Sequence, residues 1–193
     1  SDRRPKRLSH PDAPDPESQN SESQISSDRT FRSQLFPLLL VTGIVFSTML
    51  PRAAFSPLLL PIEESLGISH AQAASFFLAM SLGVSLSMFF SGIISSRLTH
   101  RNTIVLSTWL SGASLIVFAN VPSFGAMQLV LFLFGMGFGL YPPSGMATIT
   151  SLVESREWGR ALALHETGPN LGPVAAPLLS GLLLSWFSWR TIM

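Results

Sequence analysis

Four polar breaks divide residues 35 to 193 into five long apolar runs, and the positive charge falls on alternate breaks. At about 1.5 Å per helical residue, runs of about seventeen residues or more are long enough to cross a hydrocarbon core of roughly 30 Å. Of the twelve Lys and Arg residues, six precede the first run (Arg3, Arg4, Lys6, Arg7, Arg29, Arg32), two lie in the second break (Arg97, Arg101) and two in the fourth (Arg156, Arg160). The first and third breaks carry none. This is the positive-inside pattern, which puts the N-terminus in the cytoplasm and reads as an integral, multi-pass protein of the plasma (inner) membrane.

Composition fits that solvent. The chain is 47% hydrophobic and only 12% charged, with a mean hydropathy of +0.40, too apolar for most water-soluble domains. It has no cysteine, which excludes disulfides and thiolate metal sites. Residues 1–33 differ: Ser, Pro, Asp, Glu, Asn and Gln dominate, and prolines aside only Leu8, Ala13 and Ile25 are apolar before Phe31. Such a segment cannot bury enough apolar surface to offset its ordering entropy, so it reads as a disordered cytoplasmic tail. Its cluster RRPKR (residues 3–7) either touches anionic headgroups or is a solvated topology signal. No apolar run follows it within the first thirty residues, so no cleavable signal peptide is expected.

Within the bundle of residues 34–193, the spans read as about 35–60, 71–94, 103–119, 124–152 and 159–184, running alternately outward and inward. Pro61 with Glu63 and Glu64 marks the end of the first. Ser69 with Gln72 three residues on predicts a capping box at the start of the second. Asn120-Val121-Pro122-Ser123 carries no charge and suits a short external turn. Trp158 at one end of the fifth run, and Trp186 with Trp189 at the other, stand where interfacial aromatics anchor a span. The chain stops as another run would begin, so a truncated sixth helix and a longer natural chain are expected. Gly135 with Gly139, Gly168 with Gly172 and Ser107 with Ser111 repeat at a spacing that lets backbones approach closely in lipid; chance spacing in a glycine-rich chain is the alternative.

The second break reads SGIISSRLTHR (residues 91–101). It resembles the cytoplasmic signature of the major facilitator superfamily: Gly92, Arg97 and Arg101 match, while Ser96 replaces the family's Asp, Thr99 its Gly and His100 one basic residue. EWGRALALHETGPNLGP (residues 157–173) is similar to the family segment with an acidic residue, Gly and Arg at the membrane edge, then a glycine-rich helix. Gly168, Gly172 and Pro173 match the core of the antiporter motif there, and Ala176 and Pro177 replace its final glycine pair. With GMGFGLYPP in the fourth run and SWR before the sixth, the resemblance covers residues 35–193. A narrower resemblance, to the organophosphate:phosphate antiporters, rests on Arg52, Phe55 and Pro61 and on His165-Glu166-Thr167-Gly168, and implies an anionic substrate. The superfamily resemblance implies an all-α polytopic bundle, the N-terminal half of a fold built from inverted three-helix repeats. It also implies a path lined by the first, second, fourth and fifth helices, a second bundle closing it, and a basic turn from Gly92 to Arg101 that helps hold the bundles together.

A charge near the bilayer centre costs about 2.5 to 3.5 kcal/mol on insertion scales, so it persists where it faces a cavity or a partner. Arg52 shares a stripe with Thr48 and Ser56, roughly 6 Å outward of the midpoint of a helix running from 36 to 60. It either binds an anion, to which a guanidinium offers planar, bidentate donors, or snorkels to the outer headgroups or pairs with a carboxylate. Glu166 and Asn170 share a second stripe with Pro173 and Pro177, which lack the N–H groups that tighten a helix. His165 and Glu166 are candidates for proton coupling, or form a plain interfacial group paired to Arg160 or Arg156. Arg52 and Glu166 stand at different depths. Tyr141, the single tyrosine, precedes Pro142 and Pro143, which should kink the fourth helix; its hydroxyl either reaches a substrate or satisfies a freed carbonyl. Trp109 faces lipid or fills packing space. Arg52, Tyr141, His165 and Asn170 are thus the substrate-binding candidates.

Of the four histidines only His165 lies in a span, and there is neither an HExxH spacing nor a phosphate-cradling loop. No enzyme activity, cofactor or metal is expected. The expected function is secondary active transport of a small solute, an organic anion on the Arg52 reading, by alternating access. The competing reading is a non-transporting membrane scaffold, or a degenerate half-transporter acting as an assembly partner. Expected partners are a small-molecule substrate, membrane lipids and a second helix bundle, with no nucleic acid.

Overall fold

The structure, a computed structural model, describes residues 31–193. The tail expected over 1–33, with its RRPKR cluster, lies outside the described residues save for its last three. The described residues form α1 (Leu35–Leu66), α2 (His70–Arg97), α3 (His100–Asn120), α4 (Phe124–Leu152), a 3-10 turn (Ser155–Glu157), α5 (Trp158–Leu184) and α6 (Trp189–Ile192). The helices α1, α3 and α5 begin at one end of the bundle, the near end, and α2 and α4 at the other, the far end. Each of α1 to α4 is long and apolar enough to cross a membrane. At 27 residues α5 is long enough too, but Glu166, Asn170, His165 and three internal prolines keep its most apolar stretch below those of the other four.

The first helix does not end at Pro61. It runs to Leu66 and closes on Gly67 at a φ of 60°, a left-handed conformation that glycine adopts at no steric cost. The Ile68 N–H then bonds the Glu63 carbonyl at 3.3 Å, the six-to-one bond of a Schellman close. Each internal proline removes one helical bond, while Leu58 and Ile62, both fully buried, carry the packing past Pro61. Arg52 is therefore within about two residues, roughly 3 Å, of the midpoint of α1, and not 6 Å beyond it.

Caps set the turns. Ser69 Oγ accepts from the Gln72 N–H at 3.3 Å while Gln72 Oε1 accepts from the Ser69 N–H at 2.9 Å, a complete capping box. Only Leu98 and Thr99 separate α2 from α3. Thr99 caps α3, its Oγ1 accepting from the Asn102 N–H at 3.4 Å, and Arg97 sits in the last turn of α2, where a cation suits the helix dipole.

Helix α4 is sandwiched between α2 and α3. A Cβ at Gly135 would strike the Met80 carbonyl of α2, and one at Gly139 would lie 2.6 Å from the Val84 carbonyl oxygen. Gly137 faces the other way, its hypothetical Cβ 2.7 Å from Ser111 Oγ of α3. Residues two apart lie roughly 200° around a helix, so the run GMGFG serves both neighbours. Gly83 returns the contact from α2, against the Phe132 carbonyl. The remaining pair, α1 and α5, meets through Gly168 on Thr42 and Val45 and Gly172 on Met49.

Two apolar layers fill the bundle. The far-end layer includes Phe55, Phe76, Phe118, Phe134 and Trp189, and the ring of Phe118 lies 5.2 Å from Phe55, 6.1 Å from Phe76 and 5.9 Å from Trp189. Arg190 locks α6 onto this layer: it donates to the Ala119 and Val121 carbonyls at 2.9 and 3.3 Å and lies over the Trp189 ring. The near-end layer includes Leu38, Val41, Tyr141 and Ile149. Trp109 is exposed on α3. Pro142 and Pro143 lie inside α4, which continues through both to Leu152.

Candidate functional site

Cβ atoms tilt toward a helix's N-terminus, so Arg52 reaches back from α1 toward the near end. Its guanidinium carbon lies 5.1 Å from the centroid of the Phe138 ring, midway along α4. The side chain thus turns away from the far-end surface and does not snorkel to it. No carboxylate among the described residues pairs with it. A cation–π contact stabilises by about 0.5 to 2 kcal/mol, less than the roughly 2.5 to 3.5 kcal/mol cost of an arginine at mid-membrane. The five N–H donors of Arg52 are left without a protein acceptor among the described residues.

The guanidinium opens onto a cleft of about 390 Å³ between α1 and α5, walled by Met49, Ala53, Ser56, Phe77, Pro173 and Pro177. The register of the α1–α5 seam explains this set: Gly172 backs onto Met49, which brings Pro173 to Pro177 level with Arg52. Ser56 is exposed and makes no hydrogen bond among the described residues. Thr48, expected on the same stripe, is buried and returns its hydroxyl to the Val45 carbonyl at 3.0 Å. Two other hollows, of about 100 and 470 Å³, contain no charged side chain.

A second group lies nearer the near end. His165 is 6% exposed, stacks on Tyr141 with ring centroids 5.9 Å apart, and leaves its Nδ1 without a partner. The Tyr141 hydroxyl donates to the Val41 carbonyl at 3.0 Å, which is not one that a proline has freed. Glu166, Asn170, Pro173 and Pro177 are all exposed on one face of α5, and Asn170 Nδ2 donates to the Glu166 carbonyl at 2.7 Å. Arg160 pairs with Glu157 and Arg156 with Glu154, at 3.2 and 3.3 Å, and the Glu166 carboxylate forms no ion pair among the described residues.

Because Gly168 meets Thr42 and Val45, Glu166 stands about nine residues of α5, or roughly 14 Å, nearer the near end than Arg52. The four substrate-binding candidates therefore occupy two places. Arg52 has the cleft, and Tyr141, His165 and Asn170 do not line it. The aromatic neighbours Phe77 and Phe138 and the wall residue Met49 carried no sequence signal, because an apolar residue facing a cleft looks like one facing the core. No group of three His, Asp or Glu residues among the described residues is placed to hold a metal ion.

The sequence profile of the Major Facilitator Superfamily matches residues 41–193. The chain belongs to this superfamily. Among curated proteins it is similar to a gentisate transporter of Corynebacterium glutamicum, 26% identical over 73% of this chain and 32% of the relative. It is also similar to a multidrug efflux protein of Bacillus subtilis, 33% identical over 69% of this chain and 33% of the relative. A putative niacin/nicotinamide transporter of the same organism is 24% identical over 58% of this chain and 28% of the relative. The chain thus spans about a third of the length of these relatives. No solved structure matches it significantly. Superfamily membership points to transport and not to an enzyme, and α1 to α4 mark an integral, multi-pass membrane protein. These relatives add nothing to the narrower organophosphate resemblance. In the stretch that resembles the superfamily's signature, Gly92 and Arg97 lie in the last turns of α2 and Arg101 in the first turn of α3, all exposed at the near end, so the expected loop shrinks to Leu98 and Thr99; Thr99, where the family carries Gly, is the cap of α3.

Proposed function

We propose that this chain forms one bundle of a secondary active transporter that moves a small organic anion by alternating access. Arg52 carries the reading: a mid-membrane guanidinium with unspent donors, no carboxylate partner and an apolar cleft at its side. The relatives' names range from gentisate to multiple drugs, so the anion preference rests on Arg52 and not on them. A second helix bundle completes the path, and lipid surrounds both.

The positive-inside pattern supports a cytoplasmic near end in the plasma membrane. His165 and Glu166 form the proton-coupling group, a buried imidazole nitrogen without a partner next to an unpaired carboxylate. Tyr141 steadies that imidazole by stacking, and Asn170 continues the polar face of α5 toward the cleft. Substrate and proton thus occupy separate levels of the α1–α5 seam. Gly168 and Gly172 let α5 ride against α1, Pro142, Pro143 and Pro173 supply points of bending, and the basic helix ends from Gly92 to Arg101 hold the near end against the second bundle.

Uptake of anionic and neutral solutes into proteoliposomes of the full-length protein tests this. Arg52→Ala should abolish uptake of anions and spare that of neutral solutes. Equal effects on both classes, or none on either, would refute the anion assignment. Glu166→Gln should uncouple uptake from a pH gradient, and unchanged pH-driven uptake would remove Glu166 from the coupling group.

A further inference from the structure

The cleft that holds Arg52 contains an acceptor as well as donors. In a helix the carbonyl of residue i points toward residue i+4, whose N–H it normally receives. Pro177 has no N–H, so the carbonyl of Pro173 is left without its helical donor. Pro173 and Pro177 both line the cleft, so that oxygen belongs to the helical turn that forms its α5 wall. Freed carbonyls are tolerated at membrane depth where they line a cavity. On the α1 wall stand the unspent N–H groups of Arg52 and the unengaged hydroxyl of Ser56, one turn apart. Met49 and Ala53 on α1 and Phe77 on α2 offer only apolar surface.

We infer that the cleft selects an organic monoanion that also carries a hydrogen-bond donor, such as a hydroxyl, on an apolar body. Its charged group binds Arg52 on α1, and its donor reaches the Pro173 carbonyl on α5. The inference rests on the anion reading of Arg52 and adds the acceptor that discriminates among anions. Among the described residues Arg52 is the one cation lining the cleft, which matches a single negative charge. A dianion would bring a second charge to a wall that presents only a carbonyl oxygen. The donor-bearing molecule also links α1 to α5, which an anion without a donor does not.

The test measures binding of radiolabelled benzoate, 3-hydroxybenzoate and 4-hydroxybenzoate to the full-length protein in detergent, with phthalate and benzamide as competitors. At least one hydroxybenzoate should bind about three- to tenfold more tightly than benzoate, the worth of one neutral hydrogen bond. Phthalate and benzamide should compete poorly. Pro177→Ala restores an N–H to the Pro173 carbonyl and should bring the hydroxybenzoate-to-benzoate ratio to about one. Pro169→Ala makes the same chemical change at the His165 carbonyl, away from the cleft, and should keep the ratio. Arg52→Ala should remove binding of all three ring anions and Arg52→Lys should weaken it, with size-exclusion profiles reporting whether each variant is folded.

A wild-type ratio of one, a ratio that survives Pro177→Ala, or no binding of any ring anion at millimolar concentration overturns the acceptor assignment. If benzoate binds through Arg52 without any hydroxyl preference, the anion reading stands and this inference alone falls. If benzamide competes as well as the anions and Arg52→Ala changes nothing, the anion reading falls with it.

Discussion

Adding one methyl group at Gly135 should cost far more than adding the same group at Gly112. The Gly135 Cβ would strike the Met80 carbonyl, a backbone atom in the middle of α2 that no rotamer change can move. The two helices must part locally by on the order of 1 Å. A gap of that size forfeits about a quarter to a half of each contact of roughly 0.1 to 0.2 kcal/mol, so on the order of 25 atom pairs along the seam lose about 1 to 2 kcal/mol. Residual overpacking strain adds about 1 kcal/mol, and alanine's better helix propensity returns up to about 1 kcal/mol. The net destabilisation is about 2 kcal/mol. Gly112 has no atom within 4 Å of its hypothetical Cβ, so there only the propensity term acts, stabilising by up to about 1 kcal/mol. Unfolding of the full-length protein by SDS in mixed micelles, followed through tryptophan fluorescence, measures both. If Gly135→Ala falls within about 0.5 kcal/mol of Gly112→Ala, the close approach of α2 and α4 is not what holds them together.

Three further outcomes follow from contacts described above. Tyr141→Phe should destabilise by about 1 kcal/mol, within the range found for interhelical hydrogen bonds in membranes, and the same unfolding titration reads it; no loss would mean that the bond to Val41 is not formed. Arg190→Ala should lower the melting temperature and cost about 1 to 2 kcal/mol through two carbonyl bonds and the Trp189 contact; a melting temperature equal to wild type would remove its role in locking α6. Ser69→Ala should cost about 1 kcal/mol by breaking the capping box. Ser65→Ala, an exposed position without a hydrogen bond, should be neutral, and equal effects of the two serines would dismiss the cap.

The fold was largely legible because in lipid it follows from local features: runs of apolar residues, caps such as Ser69 with Gln72, and breaks such as Asn120 to Ser123. The exit of α1 was misread because Pro61 looks like a stop, whereas the continuation depends on Leu58 and Ile62 finding partners on other helices. The two-sided packing of α4 was half visible. Gly135 and Gly139 gave the face toward α2, and Gly137 between them, at a spacing that turns to the opposite side, already contained the face toward α3. Gly83 carried no such signal, because a single glycine acquires meaning only from the Phe132 backbone it meets. The candidate site was legible as a set of residue types but not as a place. Tyr141 and Val41 are linked across 100 residues, and the separation of Arg52 from His165 depends on how α5 slides along α1, a register that Gly168 and Gly172 set only once their contacts on α1 are known.

The distribution of proline has a mechanical consequence. Pro51, Pro57 and Pro61 lie in α1 and Pro169, Pro173 and Pro177 in α5, while α2 and α3 contain none. Each proline deletes one cross-link along its helix, so the α1–α5 pair, with six, has the weaker axial bracing, and the slab of α2, α3 and α4, whose two prolines both lie in α4, the stronger. In amide exchange the pair should open at lower free energy than the slab. A load applied at the cleft therefore bends the pair first, with the slab acting as the stiff member against which it flexes.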